Sequence, residues 1–451
     1  MDLSERYRNA GVLGAAGKMG SGIALLLAQE MGMRKLNPAA RGQRFKLTLM
    51  DVNDEALDGL RGYLRAQLVR FAEKSTVALR QHYADRSDLV ENSEIIDAFI
   101  EDTLDLARFT TDLGSLAGCH IVFEAIAENI DLKVKIYTQL REMCSPETFF
   151  FTNTSSIPIR LIDERAGLGG RLVGFHFYNP PAVQKLLELI SAPQTRADLV
   201  VDAKQIAADL GKKVIPAHDV AGFIGNGHFM RDALHGIAET EALAGTHGFS
   251  GAVYMVNRVS QDWLIRPMGI FQLIDYVGVD VCQCILRVMN QFIKGEQLHS
   301  SLIDQMMERG VRGGQRADGS QKDGFLRYEK GAITGVYDLA KGEYQAVDPT
   351  WSAPLDQALG KLPAEHQPWK GLSREKDKDA KLKAYFAALA GTDTLGAKLA
   401  LRYLKRSKEI GQHLVKSGVA ATPEDVNGVL LNGFYHLYGP INEYVQSEVR
   451  A

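Results

Sequence analysis

The sequence is poor in the features that mark several broad classes of protein. Cysteine is scarce, with four among 451 residues: Cys119, Cys144, Cys282 and Cys284. They form no CxxC pair and have no histidine cluster beside them, which argues against a zinc site and a disulfide-stapled scaffold, so no metal is expected. Thiols this sparse suit a reducing compartment. No run of about 18 apolar residues occurs, so no membrane-spanning helix and no membrane partner are expected. The opening stretch MDLSERYRNAGVLG lacks the apolar core of a secretory signal. The compartment these observations favour is the cytoplasm. Charge of one sign is not in excess either. Lys and Arg number 52 against 55 Asp and Glu, a net charge of −3, without the basic surplus of a nucleic-acid binder. What remains is an ordinary globular composition, 45% hydrophobic and 24% charged, in a chain of a length that suits about two to four domains.

The first half alternates short apolar runs with amphipathic helical stretches. The runs are 10–13, 46–50, 121–125, 149–151, 172–177 and 186–190, with helical patterns at 21–30 and 132–143 among them. Strand–helix alternation predicts an α/β fold with a doubly wound parallel sheet. Residues 55–109 are long, charged and helical in period, and read as a helical hairpin inserted into the sheet domain. Residues 35–44 read as a loop insertion before the second strand. After about residue 217 strand signals fade and helical patterns dominate. The expected domains are 1–218, 219–330 and 331–451, with a linker-like stretch within 331–394 that carries Pro349, Pro354, Pro363 and Pro368. A weak internal repeat is visible. MVNRV around Asn257 returns as DVNGV around Asn427, and Gly269 returns as Gly439, both at an offset of 170. If real, it makes the C-terminal half two related helical units.

Residues Gly14-Ala-Ala-Gly17-Lys18-Met19-Gly20 follow the first strand and open a helix. Such a turn lets backbone N–H groups approach a pyrophosphate, and a helix N-terminus favours its negative charge. Gly14 makes the tight turn, Gly17 leaves room for phosphates and Gly20 lets the helix pack close to the strand. Asp51 ends the second strand and suits the adenosine ribose hydroxyls while repelling a 2′-phosphate, which selects NAD. It stands 31 residues after Gly20, beyond the usual ~20, and the 35–44 insertion accounts for the excess. The alternative is a glycine-rich turn that binds nothing.

His176 and Glu188 each interrupt an apolar strand pattern, 12 residues apart. A carboxylate between Leu187 and Leu189 is costly to bury unless paired, and His176 is a plausible partner. A histidine held by a carboxylate has a fixed tautomer and suits a general base. The bland alternative is a satisfied core histidine and an edge-strand glutamate facing solvent. Thr152-Asn153-Thr154-Ser155-Ser156 follows the strand FFF, where ligands bind in open α/β sheets, although an ordinary turn or helix cap fits too. Asn226, just past Gly222, also reads equally as a helix cap.

Five segments in order then resemble the 3-hydroxyacyl-CoA dehydrogenase family: GAAGKMGSGIA, LTLMDVN, IVFEAIAENIDLK, FTNTSSI and VGFHFYNPPAVQKLLELI. GFIGN, RPMGIFQLIDYVGVD and GFLRYEKG continue the resemblance, which covers residues 8–331. It implies a Rossmann-type sheet domain followed by an all-α C-terminal domain, NAD as cofactor, and oxidation of an (S)-3-hydroxyacyl-CoA substrate to the 3-ketoacyl-CoA. His176 is then the base and Glu188 its orienting partner. Ser155 and Asn226 hydrogen-bond the reacting oxygens and the histidine. Glu128, Lys133, Asn153 and Asn179 lie on the cofactor side with Gly14, Gly17, Lys18, Met19, Gly20 and Asp51. Lys74 meets CoA phosphates, in a stretch made basic by Arg61, Arg65 and Arg70. A homodimer is implied, with association to other β-oxidation enzymes as a further expectation.

The chain departs from the family pattern in places. The glycine loop carries one extra residue, Gly227 and His228 follow Asn226, and 313–325 is long, leaving Arg316 and Lys322 as candidates for a cofactor-contacting cation. The 331–451 extension resembles a second copy of the helical unit. Two other readings remain: the same chemistry on a smaller hydroxy acid or sugar acid, and a non-catalytic NAD-binding docking protein.

Overall fold

The computed structural model describes residues 1–316 and 319–444. The chain divides into two compact units, Met1–Asp219 and Val220–Ala451.

The first unit holds β1 (Asn9–Leu13), β2 (Lys46–Met50), β3 (Ala107–Thr110), β4 (Ile121–Glu124), β5 (Phe149–Thr152), β6 (Leu172–Phe177), β7 (Leu186–Ser191) and β8 (Lys213–His218). Its helices are α1 (Leu3–Tyr7), α2 (Gly20–Lys35), α3 (Asp54–His82), α4 (Asn92–Leu104), α5 (Ile130–Met143), α6 (Ile159–Ala166) and α7 (Ala197–Asp209). The strands form one sheet in the order β3-β2-β1-β4-β5-β6-β7-β8. All neighbours pair in parallel except β6 with β7. Strands covered on both faces read as unbroken apolar runs, which is why the central ones were legible. β4, β5 and β6 are buried at every position.

Two strands escaped the sequence reading. β3 falls at the end of the expected helical hairpin, which in fact stops at Leu104. It is a four-residue edge strand with exposed Arg108, too short and polar for an apolar run. β8, at the other edge, alternates exposed and covered residues and carries Pro216, tolerated because an edge strand has no partner on one side.

The order reverses at β1, which lies between β2 and β4. The crevice outside the carboxyl ends at such a switch point is where doubly wound sheets bind ligands. β1, β4, β5 and β6 bring their carboxyl ends to this edge, and antiparallel β7 brings its amino end.

The second unit contains α8 (Gly225–His247), α9 (Phe249–Arg258), α10 (Ile270–Val277), α11 (Val279–Phe292), α12 (Ser301–Glu308), α13 (Pro349–Leu359), α14 (Trp369–Leu372), α15 (Lys378–Ala390), α16 (Leu395–Lys416) and α17 (Pro423–Gly433). It also holds a small antiparallel sheet that the fading strand signals did not predict: β9 (Leu326–Glu329), β10 (Ala332–Asp338) and β11 (Glu343–Ala346). The buried Asp275 carboxylate on α10 pins its start, accepting from Phe325 N at 2.7 Å, Leu326 N at 2.9 Å and the Tyr328 hydroxyl at 2.9 Å. These strands are half-exposed and glycine-interrupted, so they rest on that anchor rather than on an apolar pattern. The stretch read as linker-like is folded as well. Leu355, Leu372, Leu382, Tyr385 and Phe386 join the same core as α8 and α9.

The repeat has a structural counterpart. α8 begins at Gly225 and α16 at Leu395, the same offset of 170. Asn257 Oδ1 accepts from Gln272 N at 3.1 Å, and Asn427 Oδ1 from Ile441 N at 3.0 Å. In each copy the glycine lies against the asparagine with no room for a Cβ. The two long helices pack together. Arg402 on α16 forks onto Glu239 of α8 at 2.9 and 2.7 Å, and the Tyr403 hydroxyl donates to Asp232 O at 2.9 Å.

His228 of α8 is 1% exposed, with Nε2 3.1 Å from Ser407 Oγ of α16 and the Asp232–Arg266 pair nearby. Burial pushes its imidazole down to about 4, so it is neutral in the fold, whereas an unfolded histidine charges near 6.5. The unfolded chain therefore binds more protons between those values. The stability tied to this neutral histidine is full above pH 6.5 and is lost as pH falls through about 4. The expected loss is on the order of 3 kcal/mol. Urea unfolding from pH 7 to pH 4.5 should weaken less steeply for His228→Gln than for the parent chain; parallel curves would remove this histidine as the source.

Candidate active site

The glycine turn is built from backbone bonds. Gly14 N and Ala15 N donate to Met50 O at 2.9 and 3.0 Å, which ties the turn to the end of β2. Gly14 has φ +77°, a conformation that favours glycine. A Cβ there would meet Ala125 O at 2.7 Å. A Cβ on Gly20 would run into the Gly14 carbonyl, so this glycine closes the turn on itself rather than packing helix to strand. Gly17 N donates to Gly14 O at 3.1 Å, exposed Lys18 follows, and Met19 caps α2. The turn thus keeps bare backbone at the amino end of a 16-residue helix, and this cradle fits the pyrophosphate of NAD. Asp51 borders it: Oδ2 accepts from Ala16 N at 2.9 Å and Oδ1 from Val52 N at 2.8 Å.

The next two strand ends are joined by buried charge. Glu124 ends β4 with no exposed surface, and Lys133 of α5 is 1% exposed. Lys133 Nζ donates to Glu124 Oε1 at 2.6 Å and stands 3.6 Å from Glu128 Oε2. The Thr152 hydroxyl donates to Glu124 Oε2 at 2.6 Å, linking β5 to β4. Glu128 Oε1 accepts from Thr154 Oγ1 at 2.6 Å, from Ser155 N and Ser156 N at 3.0 Å, and from Ser156 Oγ at 2.9 Å. Burial pushes the Glu128 carboxyl up, but Lys133 and these donors outweigh it and hold it below the usual range. Of the two residues expected on the cofactor side, Glu128 grips the turn that carries Ser155, and Lys133 stands beside Glu128.

His176 and Glu188 are direct cross-strand partners on β6 and β7. The spacing of 12 is the length of the hairpin that folds one onto the other. His176 Nδ1 lies 3.0 Å from Glu188 Oε2, with the glutamate at 0% and the histidine at 8% exposure. A carboxylate only accepts, so Nδ1 carries the proton and Nε2 is the basic nitrogen. The Tyr178 hydroxyl donates to the same Oε2 at 2.8 Å. Asn153 Oδ1 accepts from Phe177 N at 2.9 Å, locking the end of β6 beside the β5 turn. Asn179 begins the loop between β6 and β7, which Lys212 holds from beneath by donating to Pro181 O and, at 2.8 Å, to Gln184 O. Burial, with Lys185 adding to it, pushes the Lys212 ammonium down to about 8.

The first unit thus gathers the glycine turn, Asp51, Glu128, Lys133, Asn153, Ser155, His176, Asn179 and Glu188 along one edge of its sheet. Lys74 is exposed on α3. Two of its basic neighbours are engaged within the protein: the Arg61 guanidinium lies 4.4 Å over the Phe109 ring, and Arg65 donates to Glu101 at 2.8 Å. Asn226 lies in the first turn of α8, in the second unit. Arg316 donates to Gln321 O at 2.9 Å within its own loop. Sequence reasoning missed Glu124, Tyr178 and Lys212. A charged residue ending the apolar run IVFE, nine residues before Lys133, was a signal for the first. Tyr178 and Lys212 act through contacts that no spacing announces. Among the described residues, no cluster of three or more His, Cys, Asp or Glu is placed to hold a metal ion, and no helix is long and apolar enough to cross a membrane.

A doubly wound sheet with a glycine turn and an acidic strand end at its switch point is the architecture that binds dinucleotides. Comparison with known proteins narrows the class. The model of the 3-hydroxyacyl-CoA dehydrogenase NAD binding domain matches residues 9–220, and that of the C-terminal domain matches 251–323. The chain belongs to the 3-hydroxyacyl-CoA dehydrogenase family, whose members are NAD-dependent oxidoreductases. A probable 3-hydroxybutyryl-CoA dehydrogenase of Deinococcus radiodurans is 29% identical over 320 residues, 69% of this chain and 99% of that protein. The 3-hydroxyadipyl-CoA dehydrogenase of Escherichia coli is 30% identical over 269 residues, 59% of this chain and 54% of that one. A crystal structure of 3-hydroxybutyryl-CoA dehydrogenase from Escherichia coli shares the fold across 96% of this chain and 90% of its own, with a TM-score of 0.63 at 21% identity.

Lys133→Met would leave two carboxylates without their common cation. Removing one partner of a buried ion pair costs about 3–5 kcal/mol. The variant should unfold at lower denaturant concentration by that amount, and a change below about 1 kcal/mol would show that the charge is compensated elsewhere.

Proposed function

We propose that the chain oxidises (S)-3-hydroxyacyl-CoA to 3-ketoacyl-CoA with His176 as general base. The observation that carries this reading is the buried His176–Glu188 pair, 3.0 Å apart, on the sheet edge that also holds the glycine turn. NAD, when bound, supplies the hydride acceptor. The chain's own residues do the rest. His176 Nε2 takes the proton of the substrate hydroxyl in oxidation and returns it in reduction. Glu188 fixes the ring tautomer and balances the charge of the imidazolium. Ser155 and Asn226 hydrogen-bond the reacting oxygen and the imidazole. Lys74 meets the phosphates of CoA. Gly14, Gly17, Lys18, Met19, Gly20, Asp51, Asn153 and Asn179 hold the cofactor, and Glu128 and Lys133 serve it by fixing the Ser155 turn. The names of the relatives, which include 3-hydroxybutyryl-CoA and 3-hydroxyadipyl-CoA dehydrogenases and glyoxysomal β-oxidation multifunctional proteins, support a place in acyl-CoA degradation.

The test is loss of NADH absorbance with acetoacetyl-CoA, run beside free acetoacetate and beside NADPH. Turnover is expected on the thioester with NADH, and little with NADPH because Asp51 repels a 2′-phosphate. Turnover on the free acid instead would move the reading to a small hydroxy acid. His176→Gln should lower kcat by at least the 10²–10⁴ typical of a general base, about 3–5 kcal/mol, with NADH affinity retained. Near-parental turnover in that variant would remove His176 from the role.

A further inference from the structure

We propose that Tyr178 is a positioning residue of this site: by sharing the Glu188 oxygen that binds His176, it tempers the basicity of the imidazole. The proposal rests on the reading of His176 as the base.

Tyr178 is the first residue past β6, two after His176, and its ring lies beside the imidazole. Their ring centroids are 5.0 Å apart at 38°. Glu188 faces His176 from β7, and both donors converge on its Oε2, His176 Nδ1 at 3.0 Å and the Tyr178 hydroxyl at 2.8 Å. An oxygen that already accepts one strong donor has less charge to offer a second. The tyrosine donation therefore withdraws part of the stabilisation that Glu188 gives an imidazolium. The phenol remains a donor throughout the working range, since burial and the adjacent carboxylate hold its proton well above the ordinary tyrosine value.

Other ionisable groups of the first unit do not replace it. On β8 the residues sharing the face of Glu188 are Lys213, Ile215 and Ala217, and Lys213 sits at the exposed start of the strand. From α6 and the segment after β8, Asp163 accepts from Gly170 N at 3.1 Å, and Asp219 caps α6 by accepting from Ile159 N and Arg160 N at 2.5 and 2.8 Å. Arg160 and Glu164 lie on the exposed side of α6. Glu124, two strands from β6, is held by Lys133. Lys185 and Lys212 flank the hairpin, and Lys212 is turned to the loop carbonyls.

The experiment compares pH profiles of kcat/KM for the parent chain and Tyr178→Phe in both directions, with acetoacetyl-CoA and NADH, then 3-hydroxybutyryl-CoA and NAD. The phenylalanine keeps the ring and deletes the donor. The imidazole then no longer shares Glu188 Oε2 with the tyrosine hydroxyl. The limb set by the imidazole should move to higher pH by about half to one unit, equal to a three- to tenfold change in the ionisation constant. NADH affinity should stay within twofold. A limb that stays in place while activity falls, or one that moves to lower pH, would overturn the proposal and leave Tyr178 as packing. Should Tyr178→Phe fold poorly, 3-fluorotyrosine at position 178 is a stronger donor in the same shape, and it should move the limb the opposite way; an unmoved limb there overturns the proposal equally. His176→Gln serves as the separate control. If it keeps full turnover, the base assignment itself fails, whatever Tyr178 does.

Discussion

A carboxylate without solvent must be compensated by the protein around it, and the first unit meets this constraint twice along one edge of its sheet. Glu124 and Glu188 have no exposed surface. An uncompensated ion in such surroundings costs several kcal/mol. Each is therefore surrounded by donors, and those donors are what order the site. Glu124 draws in Lys133 and Thr152, and Lys133 holds Glu128, which gathers the backbone and hydroxyls of the Ser155 turn. Glu188 draws in His176 and Tyr178. Reactive side chains on loop-bearing strand ends would otherwise sample several rotamers. Here the penalty for leaving a charge unpaired restricts them.

The second unit relies on a different device. Two of its segments, 170 residues apart, each set a glycine against an asparagine side chain. The long helices α8 and α16 meet through Arg402–Glu239, Tyr403 and the buried His228–Ser407 contact. An apolar interface alone would tolerate sliding of one helix along another. Polar partners that must all be satisfied admit one register. That polar lock carries a pH sensitivity, because a neutral buried histidine is part of it.

Much of the architecture could be read without coordinates, and the misses share a cause. β1, β2, β4, β5, β6 and β7 announce themselves because a strand covered on both faces is apolar throughout. β3, β8 and the small sheet β9–β11 do not, because edge and surface strands need only half a pattern. The expectation that 331–394 is linker-like followed its prolines. Prolines at the first turns of helices are compatible with order, as at Pro349 and Pro423.

The sequence by itself determined the order of the covered strands, the glycine turn and the candidacy of His176 and Glu188 as a pair, since each depends on local spacing: a turn of seven residues, a strand end, a separation of 12. Tertiary structure decided which groups surround those residues. Lys133 serves two carboxylates only because α5 folds back over β4, and Asp275 reaches Phe325 and Leu326 across a separation of 50 residues. Tyr178 reads as one more aromatic at a strand's end until the hairpin brings Glu188 within 2.8 Å of its hydroxyl. Desolvation is a property of the assembled fold, and no linear pattern records which neighbours will exclude water from a given charge.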